Sequence, residues 1–212
     1  MSGRIADSYP AGAIVGLIGG DQLTEPTTRA LRERLAPLDP ADGPAVLDGR
    51  QLAALAAVAA RLVPQDERTA GIDLTERFHR RIESGLGVGW RDAGMPPTPD
   101  MHRRALSALN VTAEAFFGLD FAALKSGQQD KLLRTIQAGH LNSDAWRGID
   151  PSIWFREILA TLVNIYYAHP LAQDDIGYAG MADASGWPDV GLDARERREP
   201  MPVPGAHSKE CA

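Results

Sequence analysis

The sequence predicts an all-α chain: an irregular helical domain with an extended N-terminal arm and a long Gly/Pro/Asp-rich C-terminal tail. Three observations carry this. Residues able to cap a helix recur, several of them three positions before a Gln or Glu. Behind them apolar residues repeat at helical spacing, and strand-type alternation is nearly absent. These signals place an arm with one short helix over 1–47, a helical domain over 48–170, and an irregular partner-docking loop and tail over 171–212.

The elements follow in order. Residues 12–20, GAIVGLIGG, are apolar enough for a short leader core, yet a single basic residue, Arg4, precedes them. We read 12–18 as a strand or ordered arm, and the chain as cytoplasmic. The pairs Arg80-Arg81, Arg103-Arg104 and Arg197-Arg198 lie too deep to act as a twin-arginine signal. Thr24, with Pro26 in the first turn, starts a short helix that runs to about Leu35, ahead of Pro37 and Pro40. Asp48 and Gln51 form a capping box for a helix carrying Leu52, Leu55, Ala56, Ala59, Leu62 and Val63, which Pro64 ends. Asp73 and Glu76 repeat the signal before Leu74, Phe78 and Ile82.

Residues 85–100 are a Gly/Pro-rich connection. Thr98-Pro99 then opens a long helix whose apolar stripe is Met101, Ala105, Leu109, Ala113 and Phe116, with Gly118 as its stop. Ser126 and Gln129 pattern as a further capping box for a helix with Leu132, Leu133 and Ile136, closed near Gly139. Asp150-Pro151 opens the last and most apolar helix, over 151–168, in which Ile153, Trp154, Phe155, Ile158, Leu159, Leu162, Val163, Ile165, Tyr166 and Tyr167 cover more than one face. A helix apolar nearly all round is central to the core or covered by something else. After His169-Pro170 no sustained period returns.

Composition narrows the function. The 212 residues are 44% apolar and 24% charged, with mean hydropathy −0.22, which fits a domain with a real core. No apolar run approaches the ~20 residues of a spanning helix. The net charge of −6 repels a phosphate backbone, so nucleic acid is not an expected partner. The single thiol, Cys211, excludes an internal disulfide and a thiolate metal cage.

Chemical motifs are sparse. The sequence holds no HExxH, CxxC, GxSxG or GxxxxGK[ST] pattern. The glycine run GLGVG (85–89) follows a helix, whereas a dinucleotide cradle needs a strand before it and a helix start after it. No two of His79, His102, His140, His169 and His207 share the i, i+3 or i+4 spacing of helical ligands, so no metal site and no cofactor site is assigned to this chain. The acids Asp174, Asp175, Asp183, Asp189 and Asp193 do not fit the twelve-residue calcium loop and read as a solvated acidic loop, or one facing a basic partner. An independent all-α enzyme or small-ligand-binding protein using His169, Asp174 and Asp175, with His140 as a further acid/base candidate, stands as the alternative reading.

Aromatic residues give the positive signal. Five of the thirteen, Trp154, Phe155, Tyr166, Tyr167 and Tyr178, lie in or just beyond the last helix, and Trp187-Pro188 follows. Tyr and Trp combine a large apolar area with a polar handle, which suits an interface. We assign Trp154 and Phe155 to the core. Tyr166, Tyr167, His169, Pro170, Tyr178, Trp187 and Pro188 form the predicted partner interface.

Three segments, in this order, resemble the gluconate 2-dehydrogenase subunit 3 family. They are LAALAAVAARLVPQDERTAGID (52–73), FFGLDFAALKSGQQDKLLRTIQAG (116–139) and WFREILATLVNIYYAHPLAQDDIGYAGMADASGWPDVG (154–191). The first matches a helix running into P-x-D and then G-I-D; the last matches a helix ending in Tyr, an x-P break, a Gly-rich loop and a closing G-W-P. The chain has HPLAQDD where the family more often shows P-x-Y/F-G-G-N, and it shows no twin-arginine leader of the kind some members carry. The resemblance implies a non-catalytic, chaperone-like small subunit that binds, stabilises and helps fold a large FAD-dependent subunit of the glucose-methanol-choline class, a sugar or alcohol dehydrogenase or oxidase. FAD would sit in that partner, a cytochrome c subunit is an optional third component, and export to the periplasm would occur together with the partner.

Overall fold

Helix-starting signals recur along the chain, and among the described residues of the computed structural model eight α-helices answer them: α1 (Ala13–Leu17), α2 (Glu25–Leu35), α3 (Gly49–Leu62), α4 (Leu74–Glu83), α5 (Thr98–Phe117), α6 (Ser126–Gln137), α7 (Pro151–Tyr167) and α8 (Pro170–Asp175). Two 3-10 turns, Phe121–Ala123 and Asp144–Trp146, lie between them. The structure describes residues 10, 12–38, 45–65, 71–85, 92–141, 143–179, 186, 191–192, 194, 199–201 and 203, and among these no strand occurs. The all-α class is therefore as expected. No helix among the described residues is long and apolar enough to cross a membrane. Residues 38–166 form one compact unit, and residues 1–37 with 167–212 form another.

In the unit spanning 38–166, side-chain caps start α3, α4, α6 and α7, while α5 starts on Pro97 and Pro99 with no side-chain cap. Asp48 Oδ1 accepts from the Gln51 N–H at 2.8 Å, while Gln51 Oε1 accepts from the Asp48 N–H at 2.9 Å, so the expected box is formed. The buried face of α3 is Gln51, Ala54, Leu55, Val58 and Ala59; Ala56, expected inside, is exposed, and Leu52 is half-buried. Gln51 is drawn inward because its Nε2 donates to Ser107 Oγ at 2.8 Å and to the Arg103 carbonyl at 3.2 Å, both on α5. Asp73 caps α4 through the Glu76 N–H at 2.9 Å, and Leu74, Phe78 and Ile82 are buried as their spacing predicts. α5 ends at Gly118, whose φ of 75° is the left-handed conformation that costs glycine least.

At α6 the cap differs by one residue from expectation. The side chain of Gln128, not Gln129, reaches back, its Oε1 accepting from the Lys125 N–H at 3.0 Å. Gln129 is buried instead, its Nε2 donating to the Phe121 carbonyl at 3.0 Å, while Asn110 Oδ1 accepts from the Phe121 N–H at 3.1 Å. Two buried amide side chains thus satisfy both backbone groups of Phe121, which would otherwise be costly to bury. Arg61 on α3 grips Asp130 on α6 with two parallel bonds, Nε–Oδ1 2.7 Å and the second nitrogen to Oδ2 2.9 Å.

α7 starts where Asp150-Pro151 predicts. Asp150 Oδ1 accepts from the Ser152 N–H at 2.8 Å, the Ser152 hydroxyl at 2.7 Å and the Ile153 N–H at 3.2 Å. The Ser152 bond leads in holding the Asp150 carboxyl below its ordinary range, and the two N–H groups add to it. The helix is less uniformly covered than its composition implies. Trp154, Phe155, Ile158 and Leu162 form one buried stripe, whereas Arg156, Ala160, Asn164 and Tyr167 are exposed. Trp154 and Phe155 belong to the core, as assigned. The Trp154 ring packs against Trp146 in a tilted arrangement, ring centres 5.4 Å apart and planes 57° apart, and its Nε1–H donates to His102 Nδ1 at 3.2 Å. His102 in turn receives the edge of Phe78 at 4.9 Å, and Trp146 Nε1–H donates to Thr112 Oγ1 at 3.0 Å.

In the other unit, Ile14, Leu17, Ile18, Leu23, Leu31 and Ala179 form a small core with Leu35 at its edge. Each of its Ile and Leu side chains, fully removed from water, contributes roughly 1.5–3 kcal/mol. Within 12–18, expected as a strand or ordered arm, residues 13–17 are helical as α1. The reason lies 160 residues away: the Asp174 carboxylate accepts from the Gly12 N–H at 2.6 Å and the Ile14 N–H at 2.7 Å. A carboxylate on the exposed donors of a first turn satisfies them and meets the positive end of the helix dipole.

Candidate functional site

Of the predicted interface residues, Tyr166, Tyr167, His169, Pro170 and Tyr178 lie in or next to α8, a helix the sequence pattern does not predict. Pro170 occupies its first turn and His169 caps it, with Nδ1 accepting from the Leu171 N–H at 3.3 Å. The helix closes in a Schellman arrangement: the Tyr178 N–H donates to the Gln173 carbonyl at 2.9 Å and the Gly177 N–H to the Asp174 carbonyl at 3.2 Å, with Gly177 at φ 61°. The signals were present in the sequence. Pro170 at a first-turn position and Gly177 seven residues on are a start and a stop around a stretch too short to show a period.

Tyr167 and Tyr178 flank α8 with 45% and 47% of their surface exposed. Tyr166 is half-buried, whereas His169 and Pro170 are buried. His169 and Pro170 therefore shape the backbone that presents the two tyrosines and offer little surface of their own. Trp187 and Pro188 lie outside the described residues.

A residue that the sequence reading did not single out sits between the two tyrosines in the chain. Gln173 is only 5% exposed, and its Nε2 donates to the Tyr167 carbonyl at 3.1 Å. That bond orients the amide and leaves Oε1 buried with no hydrogen-bond partner among the described residues. A buried acceptor without a donor is a standing cost of about 1–3 kcal/mol.

The acid/base candidates have structural engagements. Both oxygens of Asp174 accept from the start of α1, and His169 Nδ1 accepts from the start of α8. His140 is exposed and belongs to the closing turn of α6, where its N–H donates to the Thr135 carbonyl at 3.2 Å. Among the described residues no group of three or more His, Cys, Asp or Glu side chains converges as a metal site would require.

No curated protein and no solved structure matches this chain. The family described as gluconate 2-dehydrogenase subunit 3 matches over residues 49–182, well over half of the chain, and the match takes in α3 to α8 and both exposed tyrosines. The chain therefore belongs to the gluconate 2-dehydrogenase subunit 3 family, whose members are subunits of dehydrogenase complexes.

Proposed function

We propose that this chain is the non-catalytic accessory subunit of an FAD-dependent dehydrogenase or oxidase of the glucose-methanol-choline class, acting on a sugar or alcohol. It binds the large subunit, stabilises it and assists its folding. The observation that carries this reading is the surface around α8. Tyr167 and Tyr178, each about half-exposed, flank that helix. Tyrosine supplies apolar area at low entropic cost, together with a hydroxyl that can bond across an interface.

We place the flavin in the partner, where it accepts hydride from the substrate. The candidate glycine run at 85–89 begins directly after α4, and Gly85 belongs to that helix's closing turn. A dinucleotide cradle has a strand in that position. An obligate pair of this kind buries on the order of 2,000 Å² or more.

Separate and joint production of the two chains tests the proposal. We expect the flavoprotein to be poorly soluble or poorly active alone and to recover both when produced with this chain, co-purifying at fixed stoichiometry. Tyr167→Ser with Tyr178→Ser should weaken the pair at least tenfold. A flavoprotein that is soluble and fully active alone and ignores this chain would refute the reading.

A further inference from the structure

The turn that carries the two exposed tyrosines is held at three points by a distant part of the chain. Arg34 on α2 donates to the Ala168 carbonyl at 3.4 Å, next to Tyr167. The Asp174 carboxylate, within α8, accepts from the Gly12 and Ile14 N–H groups at 2.6 and 2.7 Å. Ala179, next to Tyr178, is buried in the small core with Ile14, Leu17, Ile18, Leu23 and Leu31. All three contacts come from residues 12–35, and each tyrosine is the chain neighbour of a held residue.

The turn needs that support. α8 has six residues, well short of the ~12–15 at which an isolated helix is even marginal in water. Its own bonds are few. They are the His169 side-chain cap, the Ala172 and Gln173 N–H groups on the His169 carbonyl, and the closing pair at Gly177 and Tyr178. Bonds of this kind do not by themselves offset the entropy of ordering the segment. α8 packs against α1 and α2, which supply tertiary support. α1, with five residues, is no better able to stand alone. Arg32 on α2 donates to the Ile18 carbonyl at 3.3 Å and ties the two arm helices together. Coupling between two such segments is reciprocal: what folds the arm folds the turn.

We propose that residues 12–35 are a latch that sets the tyrosine-bearing turn 167–178. With the latch docked, α8 is coiled and Tyr167 and Tyr178 are held at its two ends. With the latch released, α8 uncoils and the tyrosines lose their fixed spacing. The proposal rests on the subunit reading above for what the turn docks to, and it adds the control of that surface. The latch lies outside the family match at 49–182 and the turn inside it, so control comes from a segment beyond the matched residues.

Amide hydrogen exchange on the free, full-length chain tests the latch without any partner. Ile14 is fully buried and anchors the arm. Ile14→Ser is expected to quicken exchange of amides 172–178 on the order of tenfold, with those of α3 and α6 unchanged. Gly12→Pro removes, from an exposed position, one of the donors to Asp174 and the φ of 79° at the start of α1. It should act in the same direction, by about threefold or more. Should Ile14→Ser also quicken α3 and α6, Gly12→Pro decides the matter. Exchange at 172–178 within about twofold of the wild type in the deciding variant overturns the latch, because the turn then folds without the arm. The two readings fail separately. A chain that binds no flavoprotein removes the subunit reading and leaves the exchange result standing, whereas a chain that binds one while its turn ignores the arm loses the latch alone.

Discussion

The indole N–H of Trp154 donates to Nδ1 of His102 at 3.2 Å, and both side chains are fully buried. The bond fixes the imidazole tautomer, because Nδ1 must keep its lone pair and the ring proton sits on Nε2. Charging the ring would place a proton at Nδ1, against the indole donor and without water. Burial accordingly pushes the His102 pKa down to about 3. The contact joins α5 to α7 and is flanked by Phe78 and Trp146. A pH response, a mutational cost and a difference between the two tryptophans follow from it.

Stability should fall as the solution is acidified below neutrality. His102 titrates near 6.5 when unfolded and near 3 when folded, so between those values the unfolded chain binds the proton first. The contribution is complete above pH 6.5 and is lost with falling pH at up to about 1.4 kcal/mol per unit. Urea unfolding at pH 7.5 and pH 5 should differ by about 2 kcal/mol from this group. His102→Gln keeps an acceptor for Trp154 and removes the titration, so its pH dependence over that interval should be flatter by that amount. An equal slope in the variant would show that His102 is not the source.

Trp154→Phe keeps an aromatic ring and deletes the donor. His102 Nδ1 is then buried without a partner, at a cost of about 1–3 kcal/mol. Trp146→Phe should cost less, because Thr112 Oγ1 still donates to the Ala108 carbonyl at 2.6 Å after the indole is gone. Thermal unfolding gives the order, with about 2–4 °C expected per kcal/mol in a chain of this size. A larger Tm loss at position 146 than at 154 would contradict the ranking.

Asp174→Ala should loosen α1 without harming chemistry. Gly12 and Ile14 would lose their acceptor, a change worth about 1–2 kcal/mol for a helix start. Amide exchange across 14–17 should quicken on the order of tenfold. The assembled dehydrogenase should keep its turnover when this subunit is saturating. A collapse of kcat at saturation would favour the acid/base role considered for this aspartate and count against the capping role.

Helix starts and stops were legible because their causes act within one turn. Asp48 with Gln51, Asp73 with Glu76, Asp150 before Pro151, and Gly118 each satisfy or end a helix through neighbours a few residues away. The shift from Gln129 to Gln128 at α6 marks the limit of that logic. Both glutamines satisfy the pattern, and only the nearby Phe121 carbonyl decides which one turns inward. At the candidate interface, Tyr167 and Tyr178 could be chosen from composition alone. The burial of His169 and Pro170, and the orphaned oxygen of Gln173, could not.

The amino-acid order by itself determined the all-α class, the helix boundaries set by Pro, Gly and capping acids, and the family. These depend on hydrogen bonds and steric clashes between residues close in the chain. Tertiary structure alone decided that 13–17 coils into a helix under a carboxylate 160 residues away, and that Phe116 stays outside a core its register points to. Periodicity records which side chains share a face. Whether anything covers that face depends on where distant segments come to rest, and no local pattern carries that information.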